Sequence, residues 1–251
     1  IEQLMHRVAS DFAGNERHWE NLNSSIDAKR KPDYRASIDL ARVEEALGLL
    51  KQKKWISLQN VNAEKKISTI HALAGFDWLT ALILTGNSIS DISPLSTLTL
   101  LERLDLGLNQ ITSIASLRYC KHLRSLSLSH NPCTDLITLE ECPLLEDLTL
   151  SLDQVEAFLE INELPSLRHL KISGLSHECP ELRVKLERFP KMPQLVTFCF
   201  ERCCDLAGVG RYSRLQNLHI EGEFGDLTPL IQLNQLTHLT LAHCRIDVKP
   251  L

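Results

Sequence analysis

Cysteine and histidine side chains that could meet in space are the first candidates for chemistry in this chain. Cys199, His219 and His238 lie about one repeat unit apart. A thiolate and two imidazoles on neighbouring strands can bind Zn²⁺, and a thiol beside an imidazole can act as a nucleophile. A catalytic thiol also needs a lowered pKa, a group that orients the histidine and a pocket, and no motif supplies them. We therefore predict no catalytic residue, no metal site and no cofactor.

The net charge of the chain argues against two classes of partner. Its 251 residues carry a formal net charge of −5 at pH 7. Nucleic acids and anionic membranes are bound through clustered positive charge. No apolar run approaches the ~20 residues that a membrane-spanning helix needs. We therefore expect neither a nucleic acid nor a membrane as the main partner.

The cysteines indicate a reducing compartment. None of the 8 cysteines forms a Cys-x-x-Cys pair, and Cys120, Cys133 and Cys142 fall at positions that apolar residues occupy in other repeat units. Disulfides are typical of secreted proteins, so unpaired core cysteines predict a cytoplasmic protein. The segment Ile1–Met5 does not resemble a signal peptide, but the chain does not begin with methionine. A trimmed signal, with a secreted or surface location, is therefore the alternative.

A repeat must position these side chains, and it has a period of 22 residues. Leucines and an asparagine recur in the same order in three successive units: Leu79, Leu82, Leu84 and Asn87; Leu101, Leu104, Leu106 and Asn109; Leu123, Leu126, Leu128 and Asn131. A fixed period with fixed chemistry at each position is typical of stacked repeats. Each unit is too thin to have a core of its own, so stacking must supply the stability.

The repeat predicts an α/β solenoid. Each Leu-x-x-Leu-x-Leu segment forms a short strand with its leucines inward, and neighbouring units pair these strands into a curved parallel sheet. The asparagine turns inward and satisfies backbone groups of the adjoining unit. The branched residues that follow form short helices or turns on the convex side. In the fourth unit Asp153 replaces the asparagine.

The solenoid is expected to occupy residues 55–251, after an N-terminal helical capping region over residues 1–54. The repeat units begin near positions 55, 79, 101, 123, 145, 167, 195, 215 and 236. The unit that begins at Leu167 is longer than the others, and Pro180–Phe189 within it is predicted to be an α-helix. The chain stops at Leu251, partway through a unit. Either the natural chain continues, or this edge contacts a partner. A second copy of the chain is one such partner.

Two segments resemble a known family. Asn87-Ser-Ile-Ser-Asp-Ile-Ser-Pro-Leu95 and Asn109-Gln-Ile-Thr-Ser-Ile-Ala-Ser-Leu117 are similar to the twenty-two-residue leucine-rich repeats of bacterial internalin-like proteins and of phosphatase-regulating relatives. Asp226-Leu-Thr-Pro-Leu230 has the same form. The resemblance covers roughly residues 55–251. It implies a leucine-rich-repeat solenoid, and it leaves the partner open because the family binds many unrelated proteins.

The leucine positions also predict a surface. The second, third and fifth residues of each strand segment should face outward on the concave side of the sheet, and we call this surface the open sheet face. Its candidate partner-binding residues are mostly charged: Arg103, Asp105, Arg124, Glu146, Asp147, Arg168, His169, Lys171, His219 and His238. Both signs of charge lie side by side, and large apolar residues are scarce. Such a surface suits a charged protein partner.

The sequence thus predicts a non-catalytic module that binds a protein on the open sheet face. One alternative is a regulatory or inhibitory subunit, such as an immunity or phosphatase-binding protein, that covers the active site of its partner. Another is the substrate-recognition arm of an enzyme whose catalytic domain lies outside this sequence. The insertion at residues 176–194 is the alternative binding surface.

Overall fold

The computed structural model describes residues 52, 54–59, 66–174, 185–201, 205–222 and 226–242. Within these ranges the chain forms successive coils, each with one strand, a turn and a return segment. All but two positions of the predicted cap at residues 1–54 lie outside the described residues, as do Cys179, Cys203, Cys204 and Cys244.

The described residues contain nine strands in a single sheet. Their bounds are β1 Trp55–Ser57, β2 Ala81–Ile83, β3 Arg103–Asp105, β4 Ser125–Ser127, β5 Asp147–Ser151, β6 His169–Ser173, β7 Thr197–Glu201, β8 Asn217–Glu221 and β9 His238–Ala242. The strands follow one another in sequence order, and every neighbouring pair is parallel. This arrangement confirms the predicted solenoid.

The return segments are short because each coil must close within a few residues. In the described residues they contain one short α-helix, α1 Val155–Leu159, and the 3₁₀ helices His71–Leu73, Ser93–Thr97, Ala115–Tyr119, Ile137–Glu141, Leu152–Gln154, Leu186–Arg188, Val209–Arg211 and Thr228–Gln232. Between them and the sheet lies one core of leucine, isoleucine and phenylalanine. Cys120, Cys133 and Cys142 are buried in this core, as their repeat positions predict.

Inward-facing asparagines join neighbouring coils, as predicted. Asn131 is 1% exposed, and its side-chain amide donates to the carbonyl oxygens of Leu106 at 2.8 Å and Leu128 at 3.0 Å. Its Oδ1 accepts from the backbone N–H of Ile111 at 3.0 Å. Asn87 and Asn109 repeat this pattern. Each amide therefore satisfies backbone groups that the tight turn would otherwise bury without partners.

In the unit that begins near position 145, the side chain that takes the role of the asparagine lies one position later than the repeat predicts. Asp153 is exposed, and Gln154, 1% exposed, takes the place of the asparagine. Its Nε2 donates to the carbonyl oxygens of Leu128 at 3.1 Å and Asn131 at 3.2 Å. The longer side chain reaches the preceding coil from one position further along, because the chain has already turned into the Leu152–Gln154 3₁₀ helix that leads to α1.

The prediction of an α-helix over Pro180–Phe189 is wrong for residues 185–189, the part that the structure describes. Lys185 is extended and forms a parallel bridge with Asp205. Leu186–Arg188 is a 3₁₀ helix that places Leu186 and Phe189 in the core. Residues 180–184 lie outside the described residues. The strands on either side of the insertion still pair in register, with His169 opposite Thr197, as expected for an insertion away from the sheet.

Candidate functional site

The pairing of the strands brings the candidate residues into two rows on the open sheet face. The first row holds the third position of each segment: Ala81, Arg103, Ser125, Asp147, His169, Thr197, Asn217 and His238. The second holds the fifth position: Ile83, Asp105, Ser127, Thr149, Lys171, Cys199, His219 and Thr240. None of these side chains is buried. The predicted register of the surface is therefore correct throughout.

Opposite charges pair across the strands in the middle of this face. Nη1 of Arg124 donates to Oε1 of Glu146. On the next pair of strands, Nε2 of His169 lies 3.9 Å from Oδ1 of Asp147. Oδ1 of Asp105 accepts from the backbone N–H of Gly107 at 3.0 Å. Several charged or ionisable side chains of the face therefore already have partners inside the protein.

Three cations of the face have no such partner. Among the described residues, Arg103, Arg168 and Lys171 form no ion pair, and all three are exposed. On the intervening strands, Ser125 and Asp147 occupy the row of Arg103, and Ser127 and Thr149 occupy the row of Lys171. The cations can therefore bind an external group without first breaking an internal contact.

The thiol of Cys199 lacks the environment of a nucleophile. Cys199 is opposite Lys171 on one side and His219 on the other. Partial burial raises the pKa of this thiol, as do the carboxylates of Glu201 and Glu221, and Lys171 only partly opposes the effect. A raised pKa disfavours the thiolate that nucleophilic attack and metal binding both require.

His219 and His238, which could bind Zn²⁺ together with Cys199 if they met, do not face each other across the strands. His219 is opposite Thr240, and His238 is opposite Asn217. No group of three histidine, cysteine, aspartate or glutamate side chains in the described residues could hold a metal ion.

The buried cysteines are inert for the same physical reason. Desolvation raises the pKa of Cys120 to about 12 and that of Cys142 to about 11. It raises the pKa of Cys133 as well. Their thiols lie against backbone carbonyl oxygens, such as that of Leu95 at 3.7 Å from Cys120. These residues therefore act as small core side chains.

One feature at the rim of the face is missing from the sequence prediction. Leu108 and His130, the residues directly before Asn109 and Asn131, have a φ of 56°, a left-handed conformation that is uncommon for non-glycine residues. Gly86 holds the same position one coil earlier with a φ of 79°. Leu108 is 53% exposed. The glycine at the equivalent position was the available signal, because it marks where the turn requires positive φ.

None of the helices in the described part of the chain is both long and apolar enough to cross a membrane.

Comparison with known proteins supports the repeat class directly. Models of leucine-rich repeats match residues 77–119, as two copies, and residues 119–135. A search of the curated proteins gives no match.

Several solved structures have a similar fold. Internalin C2 of Listeria monocytogenes is 18% identical with a TM-score of 0.63, over 89% of this chain and 91% of that chain. Internalin F of the same organism is 20% identical with a TM-score of 0.63, over 95% of this chain and 72% of that chain. Human 5T4 is 18% identical with a TM-score of 0.56, over 77% and 78%. Residues 77–135 thus contain leucine-rich repeats, and the nine-stranded sheet has the leucine-rich-repeat fold that these internalins share.

Proposed function

We propose that this protein is a non-catalytic interaction module that binds a protein partner on its open sheet face through polar and charged contacts. The observation that carries the proposal is the register of the sheet, which gathers charged and polar side chains from the seven successive strands β3 to β9 into two continuous, accessible rows. Solenoids commonly use such extended sheet surfaces for binding.

The distribution of internal contacts supports this function. A face that served only to be solvated would gain by pairing its charges, because opposite charges on adjacent strands stabilise a sheet. Here Arg124 and Glu146 pair, whereas Arg103, Arg168 and Lys171 form no ion pair with any described residue. Unpaired cations are available to steer a partner and fix its orientation.

A set of substitutions tests the proposal with a partner isolated by affinity capture from the native cell and then purified. The face variant combines Arg103→Ser, Arg168→Gln and Lys171→Thr. The control variant combines Lys54→Gln, Lys66→Gln and Arg214→Gln, which remove the same charge from exposed cations that lie outside the strands and form no ion pair with a described residue. Arg124 is left unchanged because its loss would also remove the pair with Glu146.

We expect the face variant to bind the purified partner about tenfold or more weakly in calorimetry, because three interfacial charges are lost. The control variant should bind within about twofold of the unmodified protein, because exposed charges outside an interface contribute little. Equal binding by the face variant and the unmodified protein, with both folded by circular dichroism, would remove the open sheet face as the binding site.

A further inference from the structure

We infer that the basic half of the open sheet face receives an acidic segment of the partner, in extended conformation, that crosses strands β6 to β9. This inference rests on the proposed function, because it assigns the chemistry of the partner at the same surface. It concerns the second, third and fifth positions of the strand segments, which we divide into an acidic half, from β3 to β5, and a basic half, from β6 to β9.

The two halves differ in the charges that they present. The acidic half has four carboxylates, and two arginines accompany them: Glu102, Asp105, Glu146, Asp147, Arg103 and Arg124. The basic half has two permanent cations and three histidines: Arg168, Lys171, His169, His219 and His238. None of the described residues at the second, third and fifth positions of β6 to β9 is acidic. The face is therefore dipolar across the strands.

Polar neighbours in the basic half suit carboxylates. Thr197 and Asn217 lie opposite each other between His169 and His238, and their side chains are 3.4 Å apart from Nδ2 to Oγ1. Gln216 and Thr237 are exposed at the second position. Hydroxyl and amide groups next to cations donate hydrogen bonds to carboxylate oxygens. An acidic side chain bound here would thus form an ion pair and accept hydrogen bonds at the same time.

Two glutamates restrict where along the strands such a segment can lie. Glu201 and Glu221 are opposite each other at the carboxyl ends of β7 and β8, and Oε2 of Glu201 accepts from the backbone N–H of Gly174 at 3.0 Å. They lie four residues beyond the third position, about 13 Å along an extended strand. Repulsion between like charges should keep an acidic segment away from these ends and over the amino-terminal part of the strands.

The strand spacing also gives the length of the segment. His169 on β6 and His238 on β9 share a row and are three strand spacings apart, which is about 14 Å at ~4.8 Å per strand. An extended chain rises ~3.3 Å per residue, and alternate side chains share a face. Acidic residues at positions i and i+4 of the partner would therefore reach both ends of the basic half.

The probe for this inference is a displayed library of random dodecapeptides, selected against the whole protein. The basic-half variant combines Arg168→Gln, His169→Thr and Lys171→Thr. Each new residue already stands at the same position of another strand of the sheet, as Gln216 before β8, Thr197 on β7 and Thr149 on β5. The acidic-half variant combines Arg103→Ser and Asp105→Ser, which removes one charge of each sign and copies Ser125 and Ser127 of β4. Thermal melting checks that both variants fold.

We expect the selected peptides to carry aspartate or glutamate at i and i+4. They should bind the basic-half variant about tenfold or more weakly and lose affinity as NaCl is raised. The acidic-half variant should weaken binding of the same peptides less than the basic-half variant does, because their carboxylates contact the cations of β6. Peptides that lack acidic residues, or that depend only on the acidic half, would overturn this inference and leave the open sheet face as the binding surface. Peptides whose binding neither variant changes would overturn the proposed function as well.

Discussion

At the scale of single residues, buried amides join each coil to the one before it. Asn131 in the third regular unit and Gln154 in the fourth both donate to the carbonyl oxygen of Leu128. Within its own coil, Gln154 is held in place by the backbone N–H of Ser151, which donates to Oε1 of Gln154 at 3.0 Å. Asp153, at the position where the repeat would place the amide, is exposed. A side chain one position along thus performs the function of the repeat asparagine.

The exchange of roles between Asp153 and Gln154 gives the first prediction. Gln154→Ala should lower the free energy of unfolding by about 2–4 kcal/mol, because it removes a buried side chain together with its hydrogen bonds to the carbonyl oxygens of Leu128 and Asn131. Asp153→Ala should change it by less than about 0.5 kcal/mol, as is usual for an exposed substitution. Urea unfolding followed by circular dichroism measures both values. If Asp153→Ala proved the more damaging variant, the asparagine position would be the structural one after all.

At the scale of elements, aspartates begin the 3₁₀ helices of the return segments. Oδ1 of Asp91 accepts from the backbone N–H of Ser93 at 2.8 Å, and Oδ2 accepts from its hydroxyl at 3.0 Å. Asp135 and Asp226 make the same backbone contact, two residues before the N–H that they accept from. The two hydrogen bonds that Ser93 donates to Asp91 lower the pKa of the Asp91 carboxyl below its ordinary value of 3.8. The charge of His71 lowers this pKa slightly further.

The second prediction is a pH-dependent contribution from this cap. Because the pKa of Asp91 is lower in the folded than in the unfolded state, its stabilisation is complete at neutral pH and is lost as the pH falls through the folded pKa. Asp91→Ala should cost about 0.5–1 kcal/mol at pH 7, and the difference from the unmodified protein should shrink towards zero at a pH below the folded pKa of Asp91. Urea unfolding at both pH values measures it.

Asp77→Ala is the control for the cap, because Asp77 is exposed in the turn that precedes β2 and makes no hydrogen bond within the described residues. Its effect should be small at both pH values. A cost of Asp91→Ala that stayed constant as the pH fell through the folded pKa of this carboxyl would show that the charge of the carboxylate is not what stabilises the turn.

The longer unit has a packing element of its own in place of the predicted α-helix. The ring of Phe189 lies 5.6 Å from that of Phe158, 5.8 Å from that of Phe198 and 5.6 Å from that of Phe200, between centroids. Phe189 is 3% exposed. The ring of Phe189 thus packs against three other rings in the core, and the third prediction concerns this cluster.

Phe189→Ala should lower the free energy of unfolding by about 3–5 kcal/mol, since it removes a buried ring and leaves a cavity between three others. Phe189→Leu should recover more than half of that loss because most of the volume is restored. Differential scanning calorimetry of both variants provides the measurement. Similar melting temperatures for Phe189→Ala and the unmodified protein would mean that the ring is not part of the core.

At the scale of the whole molecule, the leucine positions were sufficient to predict the sheet and its exposed rows. Alternation within a strand leaves only one face for Arg103 once Leu104 is inside, and stacking then sets Arg103 beside Ser125. The sequence did not predict the role of Gln154, because that role depends on a local turn and not on repeat position. The segment before Phe189 escaped it because apolar residues spaced by three and four fit a helix as well as an irregular coil.

The same stacking makes stability depend on position along the solenoid, because each coil gains most of its burial from its neighbours. Leu218 of β8 and Leu239 of β9 are opposite each other at the same repeat position, yet Leu218 is 2% exposed and Leu239 is 44% exposed. Around Leu239, Leu236 and Leu241 are only partly buried. The coil that contains β9 should therefore open more readily than the coil that contains β8.

This difference gives the fourth prediction, for which the two leucines form a matched pair. Leu218→Ala should lower the free energy of unfolding by about 2–4 kcal/mol, whereas Leu239→Ala should lower it by about 1 kcal/mol or less, because less apolar area returns to water. Leu148→Ala, at the same position in central β5, should match Leu218→Ala. Native-state hydrogen exchange should show faster exchange for backbone amides of β9 than for those of β5. Equal costs for Leu218→Ala and Leu239→Ala would contradict a stability that follows burial along the stack.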